Sequence, residues 1–535
     1  MDIPKFDFIW NYLKHWASED PDFPFIEFKE KKYTIKQLKE SVDHLSEAFI
    51  SIGVTKGDTI VTILPMSIEF TLIHLAANSI GVICVPMDVR FRPADFRRFI
   101  PHVEPKIVFL IGKARGYNIA KTIKKLSSDF NPIVKYYNIG GEEFGTMFED
   151  LIKTNYNLKS EVEKARSSLK PDEGALIVFT GGTTGLPKAA LLSHRNIAYG
   201  SYYIATNLIK RLEALGVKDR IKSHQNFPPS HVGGIIGISG TALVGKWEMI
   251  MEEQWNPYSI LKTIQKYKLP MAGGVATMIK ILLNIPDFDD FDLTSLKFVI
   301  NSSEKIGMEV LKNIKERICP NIINAYGSTE SGPEITFTDI GDSLEEIANG
   351  YVGKLLPEQE IKVIDENDNE VPPGVVGEMV FRGSLTIKEY YNMPEENKAT
   401  FMEGGWCRSG DLGYITEDGR IYIKGRKKFI IRVGSYTVLP TEVEDVAIQH
   451  PKVAMAAAVG FPDEIYNEVV WLVVVPKSEQ IINEQEIIDF CKIELADFKV
   501  PKKVLVMKVL PITRLTKLDR PALLNQLKDQ FIFSK

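Results

Sequence analysis

Residues 177–194 read Ile-Val-Phe-Thr-Gly-Gly-Thr-Thr-Gly-Leu-Pro-Lys-Ala-Ala-Leu-Leu-Ser-His, and this stretch is the most informative in the chain. A short apolar strand leads directly into a loop of glycine and threonine residues, and a lysine follows the loop. Glycines allow backbone conformations and close approaches that a side chain would block. Backbone N–H groups, threonine hydroxyls and a lysine charge together suit the oxygens of a polyphosphate. The candidate phosphate-binding residues are Thr180, Gly181, Gly182, Thr183, Thr184, Gly185 and Lys188.

The loop differs from a P-loop, because that motif ends in Gly-Lys-Ser/Thr and Pro187 precedes the lysine here. An ordinary flexible connection is the alternative, but such a loop need not concentrate hydroxyls and a lysine in this way. The stretch therefore predicts a buried strand followed by a phosphate-binding loop.

The composition is that of a globular protein with more than one domain. The chain has 535 residues, of which 44% are hydrophobic and 25% charged, and its net charge is −5. This length is too great for one ordinary core, and the net charge gives no reason to expect a nucleic-acid partner. The most apolar stretches are far shorter than the roughly 18–20 residues that span a bilayer, and the N-terminus lacks a signal-peptide pattern. The four cysteines are widely separated, without metal-ligand spacing, which favours reduced thiols and a cytoplasmic location.

Helix and strand signals alternate through the first part of the chain. Thr34 and Gln37 form a capping box at the start of an amphipathic helix, and continuous apolar strands follow at 59–64, 82–85 and 107–111. Such strands alternating with helices are typical of a parallel α/β sheet that is covered on both faces. We therefore expect a large N-terminal domain of doubly wound parallel α/β sheets.

The sequence pattern changes twice toward the C-terminus. After about residue 350, short strands separated by turn residues predict a small antiparallel β region. Beyond Gly425, alternating strands followed by a helical pattern predict a small α+β domain. Residues 425–428 are charged and begin with glycine, as an exposed hinge would. The predicted domains are 1–427 and 428–535.

Two further motifs place polar groups in turns after predicted strands. Residues 324–332 read Asn-Ala-Tyr-Gly-Ser-Thr-Glu-Ser-Gly, and Glu330 with its neighbouring hydroxyls suits a Mg²⁺ ion that is held by phosphates. Tyr326 offers an aromatic ring on which a flat ligand group can stack. Residues 405–413 contribute Asp411, whose ionised carboxylate can accept hydrogen bonds from two neighbouring hydroxyls.

Seven segments of the chain resemble, in the same order, the motifs of the adenylate-forming superfamily. This superfamily comprises acyl-CoA synthetases, luciferases and peptide-synthetase adenylation domains. Besides the three stretches above, the segments are 227–234, 425–426, 434–444 and 511–520. The resemblance covers essentially the whole chain and is strongest to fatty-acyl-CoA ligases. It implies that the protein uses ATP, Mg²⁺ and coenzyme A.

The resemblance also implies a role for single residues. Lys517 would bridge the attacking carboxylate and the α-phosphate, with Lys188, Glu330 and His231 also catalytic, and Lys428 would be the hinge. The residues implied for ATP or AMP binding, besides the phosphate loop, are Ser303, Glu304, Asn324, Ala325, Tyr326, Gly327, Ser328, Thr329, Asp411, Ile423 and Arg426. Those implied for the metal are Thr184 and Glu330, and those for the coenzyme A tunnel are Gly434, Ser435 and Tyr436. Those implied for the acyl pocket are His231, Val232, Gly233, Gly234, Gly237, Val275, Ser302 and Ser303.

The chain departs from the family pattern at four places. Thr516 precedes the lysine where the family usually has glycine, and threonine is unfavourable if that position needs a positive φ. Asn-Ser-Ser-Glu-Lys at 301–305 replaces a Gly-Gly-Ala-Pro stretch, which alters the pocket wall. Glu389 replaces a common glycine, whereas Ser409 replaces a common threonine and keeps its hydroxyl.

These observations predict a two-step ligase. A carboxylic acid is activated as acyl-AMP with release of pyrophosphate, and the thiol of coenzyme A then displaces AMP. The glycines after His231 and the apolar residues near Val275 predict an open pocket without a charged lining residue. An unpaired buried charge would be costly there, so a medium- to long-chain fatty acid is expected first and an aryl acid second.

Two other functions remain open at this point. Peptide-synthetase adenylation domains place an aspartate near the start of the 227–234 segment to pair the substrate amine, and Phe227 stands there instead. The chain also ends at Lys535 without a carrier domain, which disfavours an adenylation enzyme that loads a carrier protein. A non-enzymatic acyl or nucleotide sensor on the same fold is the second alternative. A homodimer and a peripheral membrane contact are left open.

Overall fold

The computed structural model shows a mixed α/β protein. It describes residues 3–130, 134–141, 144–180, 187–218, 220–302, 305–433, 436–463, 466–478, 480–495, 497–513 and 517–531, with the backbone alone at 432, 436, 437 and 467. The described residues form five sheets of four or more strands and one two-stranded ribbon, Lys113–Ala114 with Tyr117–Asn118. The predicted fold class is confirmed.

The first sheet carries the strand that precedes the glycine-threonine loop. Its neighbours are all parallel except for the edge pair, in which Thr180 lies opposite Lys188. This antiparallel edge was not expected; it follows from the short connection between the two strands, since a parallel crossover needs a dozen residues or more. In spatial order the strands are Lys188–Ser193, Gly174–Thr180, Ile83–Pro86, Thr59–Ile63, Ile107–Ile111, Lys135–Ile139 and Thr146–Met147.

The second and third sheets are also mixed. The second has two parallel pairs followed by two antiparallel pairs, and the third has two parallel pairs and one antiparallel pair. The strands of the second sheet are Met271–Gly274, Phe298–Ser302, Ile322–Ser328, Gly332–Phe337 and Lys354–Leu355. Those of the third are Lys222–Gln225, Glu248–Met251, Pro24–Phe28 and Lys31–Thr34.

The last two sheets belong to the C-terminal part of the chain. The fourth is entirely antiparallel, as predicted for the region after residue 350, and consists of Gln359–Ile364, Gly377–Gly383, Cys407–Ile415 and Ile421–Arg426. The fifth lies beyond the predicted hinge and has its own apolar core. Its strands are Tyr436–Val438, Ile431–Val433, Asn467–Pro476, Val453–Asp463 and Lys503–Val506. The domain boundary at 427/428 stays a prediction.

Seventeen α-helices occur among the described residues. None of them combines the length and the apolar character that crossing a bilayer requires. They are Ile9–Glu19, Ile35–Ser51, Ile68–Ser79, Pro93–Val103, Ile119–Leu126, Phe148–Lys153, Lys159–Ser167, His194–Ala214, Thr241–Gly245, Pro257–Tyr267, Ala276–Leu283, Met308–Arg317, Leu344–Ala348, Pro394–Thr400, Pro440–Ile448, Glu484–Glu494 and Arg520–Phe531.

Local sequence signals account for the elements around the site. The capping box forms as expected, because the Thr34 N–H donates to Gln37 Oε1 at 3.0 Å and the Gln37 N–H donates to Thr34 Oγ1 at 3.2 Å. The strand Thr59–Ile63 is buried at every position, which requires cover on both faces of the first sheet. Three strands end at predicted site residues, namely Thr180, Ser302 and Ser328. Since ligands of α/β sheets bind at the carboxyl ends of strands, these ends locate the candidate site.

Candidate active site

Two side chains next to the phosphate loop are linked to Glu330. Thr180 ends one strand and Lys188 begins the next, and Thr180 Oγ1 lies 3.4 Å from Glu330 Oε1. Residues 181–186, which include the candidates Gly181, Gly182, Thr183, Thr184 and Gly185, lie outside the described residues. The described ends of the loop therefore bring a hydroxyl, an ammonium group and a carboxylate to one place.

Lys188 is positioned by two residues that the sequence did not single out. Its Nζ donates to Thr400 Oγ1 at 3.1 Å and lies 4.7 Å from the centroid of the Tyr390 ring. The Tyr390 hydroxyl in turn donates to Glu330 Oε1 at 3.0 Å. Tyr390 thus orients both the cation and the carboxylate of the site. Only the neighbouring departure at Glu389 hinted at this segment.

Glu330 has the chemistry that Mg²⁺ requires. The described groups bonded to its carboxylate are the hydroxyls of Thr180 and Tyr390, which leave it without a paired cation. Mg²⁺ is usually held by one or two protein carboxylates together with phosphate oxygens and water. Glu330 fits that donor set, whereas the second metal candidate, Thr184, lies outside the described residues.

Asp411 is the centre of a second polar cluster. It is buried, accepts a hydrogen bond from the Tyr326 hydroxyl at 2.8 Å and pairs with Arg426 Nε at 2.7 Å. Burial raises the pKa of Asp411, and the Arg426 guanidinium opposes that rise. Burial and the neighbouring Asp411 carboxylate likewise raise the pKa of Tyr326 well above its usual value, so this phenol stays protonated as a donor. A carboxylate, a cation and a fixed aromatic ring suit the ribose and base of a nucleotide.

The other residues predicted to bind the nucleotide lie in different environments. Asn324 has both ends of its side-chain amide occupied, because Nδ2 donates to the Tyr351 carbonyl at 2.9 Å and Oδ1 accepts from Asn301 Nδ2 at 2.7 Å. Gly327 permits a close backbone approach, since a Cβ there would lie 2.4 Å from the Pro333 carbonyl oxygen.

The remaining residues predicted to bind the nucleotide fall into three groups. Ala325 is buried in the strand Ile322–Ser328, and Ile423 packs half-buried in Ile421–Arg426. Ser328 shares hydrogen bonds with Ser331, and Thr329 follows it in the turn. Ser303 and Glu304 lie outside the described residues.

A cavity of about 400 Å³ is lined in part by Lys517, whose charge also acts on Asp411 of the nucleotide cluster. Of the predicted acyl-pocket residues, those that line it are His231, Gly233, Gly237, Val275 and Ser302. The cavity also reaches side chains of a second apolar core, to which the second sheet contributes; they include Ile260, Leu261, Leu293 and Val299. The cavity therefore has room for an apolar chain.

Two predicted pocket residues do not line the cavity. Val232 is buried among core side chains, and Gly234 packs against backbone, since a Cβ there would lie 2.6 Å from the Pro228 carbonyl oxygen. The reason is the local conformation, because Gly233–Gly240 forms a π-helix that turns only some of its residues toward the cavity. π-Helical turns are rare in proteins, and those that do occur are often found at functional sites.

His231 is neutral in this environment. Its Nδ1 accepts a hydrogen bond from the Gly233 N–H at 3.1 Å, which places the ring proton of the neutral form on Nε2. Burial, and to a smaller extent the charge of Lys517, lower the pKa of His231 to about 4. His231 therefore brings an uncharged N–H donor to the cavity at neutral pH.

Lys517 lines the same cavity although it belongs to the C-terminal part of the chain. Its backbone N–H donates to Thr513 Oγ1 at 3.2 Å, and the Thr513 N–H donates back to the Lys517 carbonyl at 2.6 Å. An ion pair between Arg520 and Glu444 ties the following helix to the C-terminal core. The charge of Lys517 acts on both His231 and Asp411. Thr516, the departure before it, lies outside the described residues.

The expectation that no charged residue lines the pocket is wrong. Glu334 lines it, and Ser302 Oγ donates to Glu334 Oε1 at 3.3 Å. Sequence reasoning did not consider Glu334, because it lies just beyond the 324–332 motif on the returning strand Gly332–Phe337. Charged side chains farther along the lining include Arg90 and Arg115.

The hinge and tunnel candidates are only partly described. Lys428 lies in a single helical turn, Lys427–Phe429, and burial lowers its pKa to about 8. Gly434 and Ser435 lie outside the described residues, as does the side chain of Tyr436. Their roles stay predictions.

Lys517 from the C-terminal part of the chain lines the cavity and acts through its charge on Asp411 of the nucleotide-type cluster, which fits an adenylate-forming enzyme. The model of the AMP-binding enzyme family matches residues 13–391, and the model of the AMP-binding enzyme C-terminal domain matches residues 442–517. The chain belongs to the AMP-binding enzyme family. It is an acyl-CoA ligase, an AMP-forming acid–thiol ligase that uses ATP and coenzyme A.

Similar proteins span almost its whole length. The mitochondrial medium-chain acyl-CoA ligase ACSF2 of Mus musculus is 27% identical, with 92% of this chain and 82% of the relative covered. The 4-coumarate–CoA ligase 2 of Nicotiana tabacum is also 27% identical, with coverage of 90% and 86%. The ATP-bound MatB of Rhodopseudomonas palustris superposes with a TM-score of 0.82 at 25% identity, with coverage of 97% and 99%. Since these names include alkyl and aryl acids, they leave the acid unassigned.

Proposed function

We propose that the protein activates a medium- to long-chain fatty acid as its acyl adenylate and transfers the acyl group to coenzyme A. The observation that carries this proposal is the cavity of about 400 Å³, which combines Lys517 and His231 with apolar side chains from the second apolar core. A polar reaction centre that opens into an apolar chamber suits an acid with a long hydrocarbon tail.

In the first half-reaction the fatty carboxylate attacks the α-phosphorus of ATP, and the bond to pyrophosphate breaks. Lys517 offsets the negative charge of the approaching carboxylate, while Lys188 stabilises the leaving pyrophosphate. Mg²⁺ bound by phosphate oxygens and Glu330 would add further charge neutralisation. Asp411 and Arg426 hold the ribose, so the reacting groups are positioned rather than free.

In the second half-reaction the thiol of coenzyme A attacks the acyl carbonyl, and AMP leaves. The C-terminal domain reorients about Lys428, withdraws Lys517 and brings the segment 434–436 to the site. Two orientations of one domain let a single site serve two reactions, as hinge closure does in other enzymes.

The preference for a fatty acid follows from the buried apolar lining. Each methylene group removed from water contributes about 0.8 kcal/mol to the free energy of binding. An acid with several methylenes in the cavity should therefore bind more tightly than a short acid. An aryl acid is shorter than a long alkyl acid and would bury less of its surface against this apolar lining. The predicted order of kcat/KM is long alkyl, then aryl, then short alkyl acids.

The test is mass-spectrometric detection of AMP and acyl-CoA formed from ATP, coenzyme A and a panel of straight-chain and aryl acids. We expect both products with alkyl acids and none without an acid. Lys517→Ala should abolish adenylate formation and largely spare thioester synthesis from pre-made acyl adenylate. AMP without acyl-CoA would favour a carrier-protein enzyme, no turnover would favour a sensor, and a preference for aryl acids would reject the fatty-acid assignment.

We also propose that the protein is located in the cytoplasm. Cys84, Cys319, Cys407 and Cys491 are all buried free thiols, and burial raises the pKa of each. Buried reduced cysteines fit a reducing compartment. Cell fractionation with an antibody to the chain tests the assignment.

A further inference from the structure

Basic side chains are concentrated in residues 90–125. This stretch contains ten lysine or arginine residues and two aspartate or glutamate residues, although the whole chain has a net charge of −5. Like charges repel one another, so a concentration of one sign costs stability and indicates a role in binding. The stretch is therefore a candidate surface for an anionic partner.

Two helices of this stretch lie side by side; they are Pro93–Val103 and Ile119–Leu126. Arg92, at the start of the first helix, has its guanidinium 4.1 Å from the centroid of the Tyr117 ring, just before the second helix. Arg97, within the first helix, pairs at 3.4 Å with Asp129, just beyond the end of the second. Contacts at both ends mean that the two helices run next to each other in the same direction.

The two helices bury their apolar side chains and expose their basic ones. The buried side chains include Phe96, Phe99, Ile100, Ile119, Ile123 and Leu126. The exposed basic side chains, which we call the basic face, are Arg97, Arg98, Lys121, Lys124 and Lys125. Because the apolar sides already belong to the protein core, the basic face can attract a partner by charge but has no apolar side to insert into it.

The acyl cavity reaches the surface next to the basic face. The two-stranded ribbon precedes the second helix, and the Thr122 hydroxyl of that helix donates to the Tyr117 hydroxyl of the ribbon at 2.8 Å. Arg115, in the turn of the ribbon, is exposed and also lines the cavity together with Arg90. A ligand that enters the cavity beside Arg115 therefore arrives from the side on which the basic face lies.

We propose that the basic face docks on an anionic lipid bilayer, so that a fatty acid passes from the membrane into the cavity. Clusters of about four to eight basic residues on a helical surface are typical of segments that bind anionic lipids. The charges are spread along the outside of two helices, the longer of which extends roughly 16 Å, and such a spread suits a planar surface better than one small phosphate ligand. The delivery of substrate rests on the proposed fatty-acid function, whereas docking can be measured without the reaction.

The test of docking is flotation of the full-length protein with vesicles. One set contains equal parts of phosphatidylglycerol and phosphatidylcholine, and the other contains phosphatidylcholine alone. We expect binding to the first set only, and its loss in about 0.5 M NaCl, because salt screens exposed charges. Lys121→Gln combined with Lys124→Gln removes two charges of the basic face and should weaken binding about thirtyfold.

The matched control is Lys312→Gln combined with Lys315→Gln. These two lysines are also exposed and three positions apart, but their helix, Met308–Arg317, packs on the second apolar core. This variant should bind the vesicles as the wild type does. Equal binding to both kinds of vesicle, or binding that resists salt, would overturn the proposal. A raised KM for coenzyme A in the Lys121 and Lys124 variant, with unchanged vesicle binding, would assign the basic face to the phosphates of coenzyme A instead.

The test of substrate delivery compares kcat/KM for palmitate held in the anionic vesicles with kcat/KM for octanoate in solution. The Lys121 and Lys124 variant should lose activity toward palmitate by about the factor by which it loses binding, and it should keep its activity toward octanoate. An equal loss with both acids would overturn delivery from the membrane. Absence of AMP with both acids in the wild type would reject the fatty-acid function, while the flotation result would still decide docking.

Discussion

Two carboxylates of the site, buried Asp411 and half-buried Glu334, differ in how fully their oxygens are paired. Asp411 has a phenol on one oxygen and a guanidinium on the other, at 2.8 Å and 2.7 Å. Glu334 has one hydroxyl at 3.3 Å on Oε1 and no described partner on Oε2. Burial raises the pKa of both, but only Asp411 has a cation that opposes the rise. Both oxygens of Asp411 are thus held by neighbouring side chains, whereas Glu334 holds unused hydrogen-bonding capacity.

Glu334→Gln should become increasingly stabilising, relative to the wild type, as the pH rises. Burial raises the pKa of Glu334 from 4.5 to about 7. Ionising this side chain therefore costs more free energy in the folded protein than in the unfolded chain. The resulting destabilisation is absent below about pH 4.5, grows up to about pH 7 and is complete above that, where it amounts to about 3 kcal/mol. Urea unfolding of both proteins across this pH range measures it.

The neutral control for that experiment is Glu360→Gln, whose wild-type carboxylate is exposed and paired with Arg382. Its difference from the wild type should show no rise between pH 5 and pH 8. A difference for Glu334→Gln that stays constant over the same range would contradict the raised pKa.

The π-helix Gly233–Gly240 is the element that shapes the acyl cavity. One buried side chain holds it: Gln225 Nε2 donates to the Gly234 carbonyl at 2.5 Å and to Ser239 Oγ at 2.6 Å. Gln225 Oε1 also accepts from the Phe227 N–H at 2.9 Å, which fixes the segment that enters the π-helix. The third sheet therefore determines the pocket wall, because Gln225 ends its strand Lys222–Gln225.

Gln225→Met should loosen this wall. Methionine has a similar volume but leaves the Gly234 carbonyl and the Phe227 N–H without their partner, at a cost of about 1–3 kcal/mol for each buried group. We expect a lower melting temperature and a higher KM for the acid, with a smaller change in the KM for ATP. Steady-state kinetics with each substrate varied in turn provides the comparison.

Gln449→Met serves as the matched variant, since Gln449 is exposed at the end of the helix Pro440–Ile448. It should change neither KM. Equal increases in both KM values for Gln225→Met would indicate general unfolding rather than a change in the acyl wall.

The whole molecule is held in one arrangement of its two parts by a few polar links. Lys305 forms an ion pair with Asp445, and Thr441 Oγ1 donates to the Lys424 carbonyl at 2.6 Å. Burial raises the pKa of Asp445, and Lys305 opposes the rise. In this arrangement Lys517 lines the cavity, as the proposed first half-reaction requires. Lys305 belongs to the 301–305 departure, so that departure supplies a contact to the C-terminal part of the chain.

Lys305→Met should slow adenylate formation and spare thioester synthesis. Partly exposed ion pairs contribute at most about 1 kcal/mol. The population of the arrangement that holds Lys517 at the cavity should therefore fall by about fivefold or less in the variant. Pre-steady-state release of pyrophosphate measures the first step, and acyl-CoA formation from pre-made adenylate measures the second. High salt should produce the same effect in the wild type.

Lys39→Met is the control, because Lys39 pairs with Asp43 within one helix, far from the hinge in sequence. It should leave both half-reactions as they are. An equal loss in both half-reactions of Lys305→Met would show that the ion pair supports folding and not the domain arrangement.

Much of this architecture follows from local patterns. The capping box at Thr34, the apolar strands and the glycine-threonine loop each depend on residues within a few positions of one another. The side-chain periodicity of helices and strands and the residue preferences of turns are properties of such short segments. The sequence alone therefore predicts the α/β class and the order of the motifs. The resemblance to a known family then placed Asp411 and Lys517 in the site.

Contacts between distant segments were decided by the tertiary structure alone. Lys188 and Thr400 are 212 residues apart, and Thr180 and Glu330 are 150 apart. No local period relates such residues, because they meet only when separate sheets pack together. For the same reason the carboxylate of Glu334 could not be foreseen in the acyl cavity: its place depends on how the strand Gly332–Phe337 returns beside the π-helix.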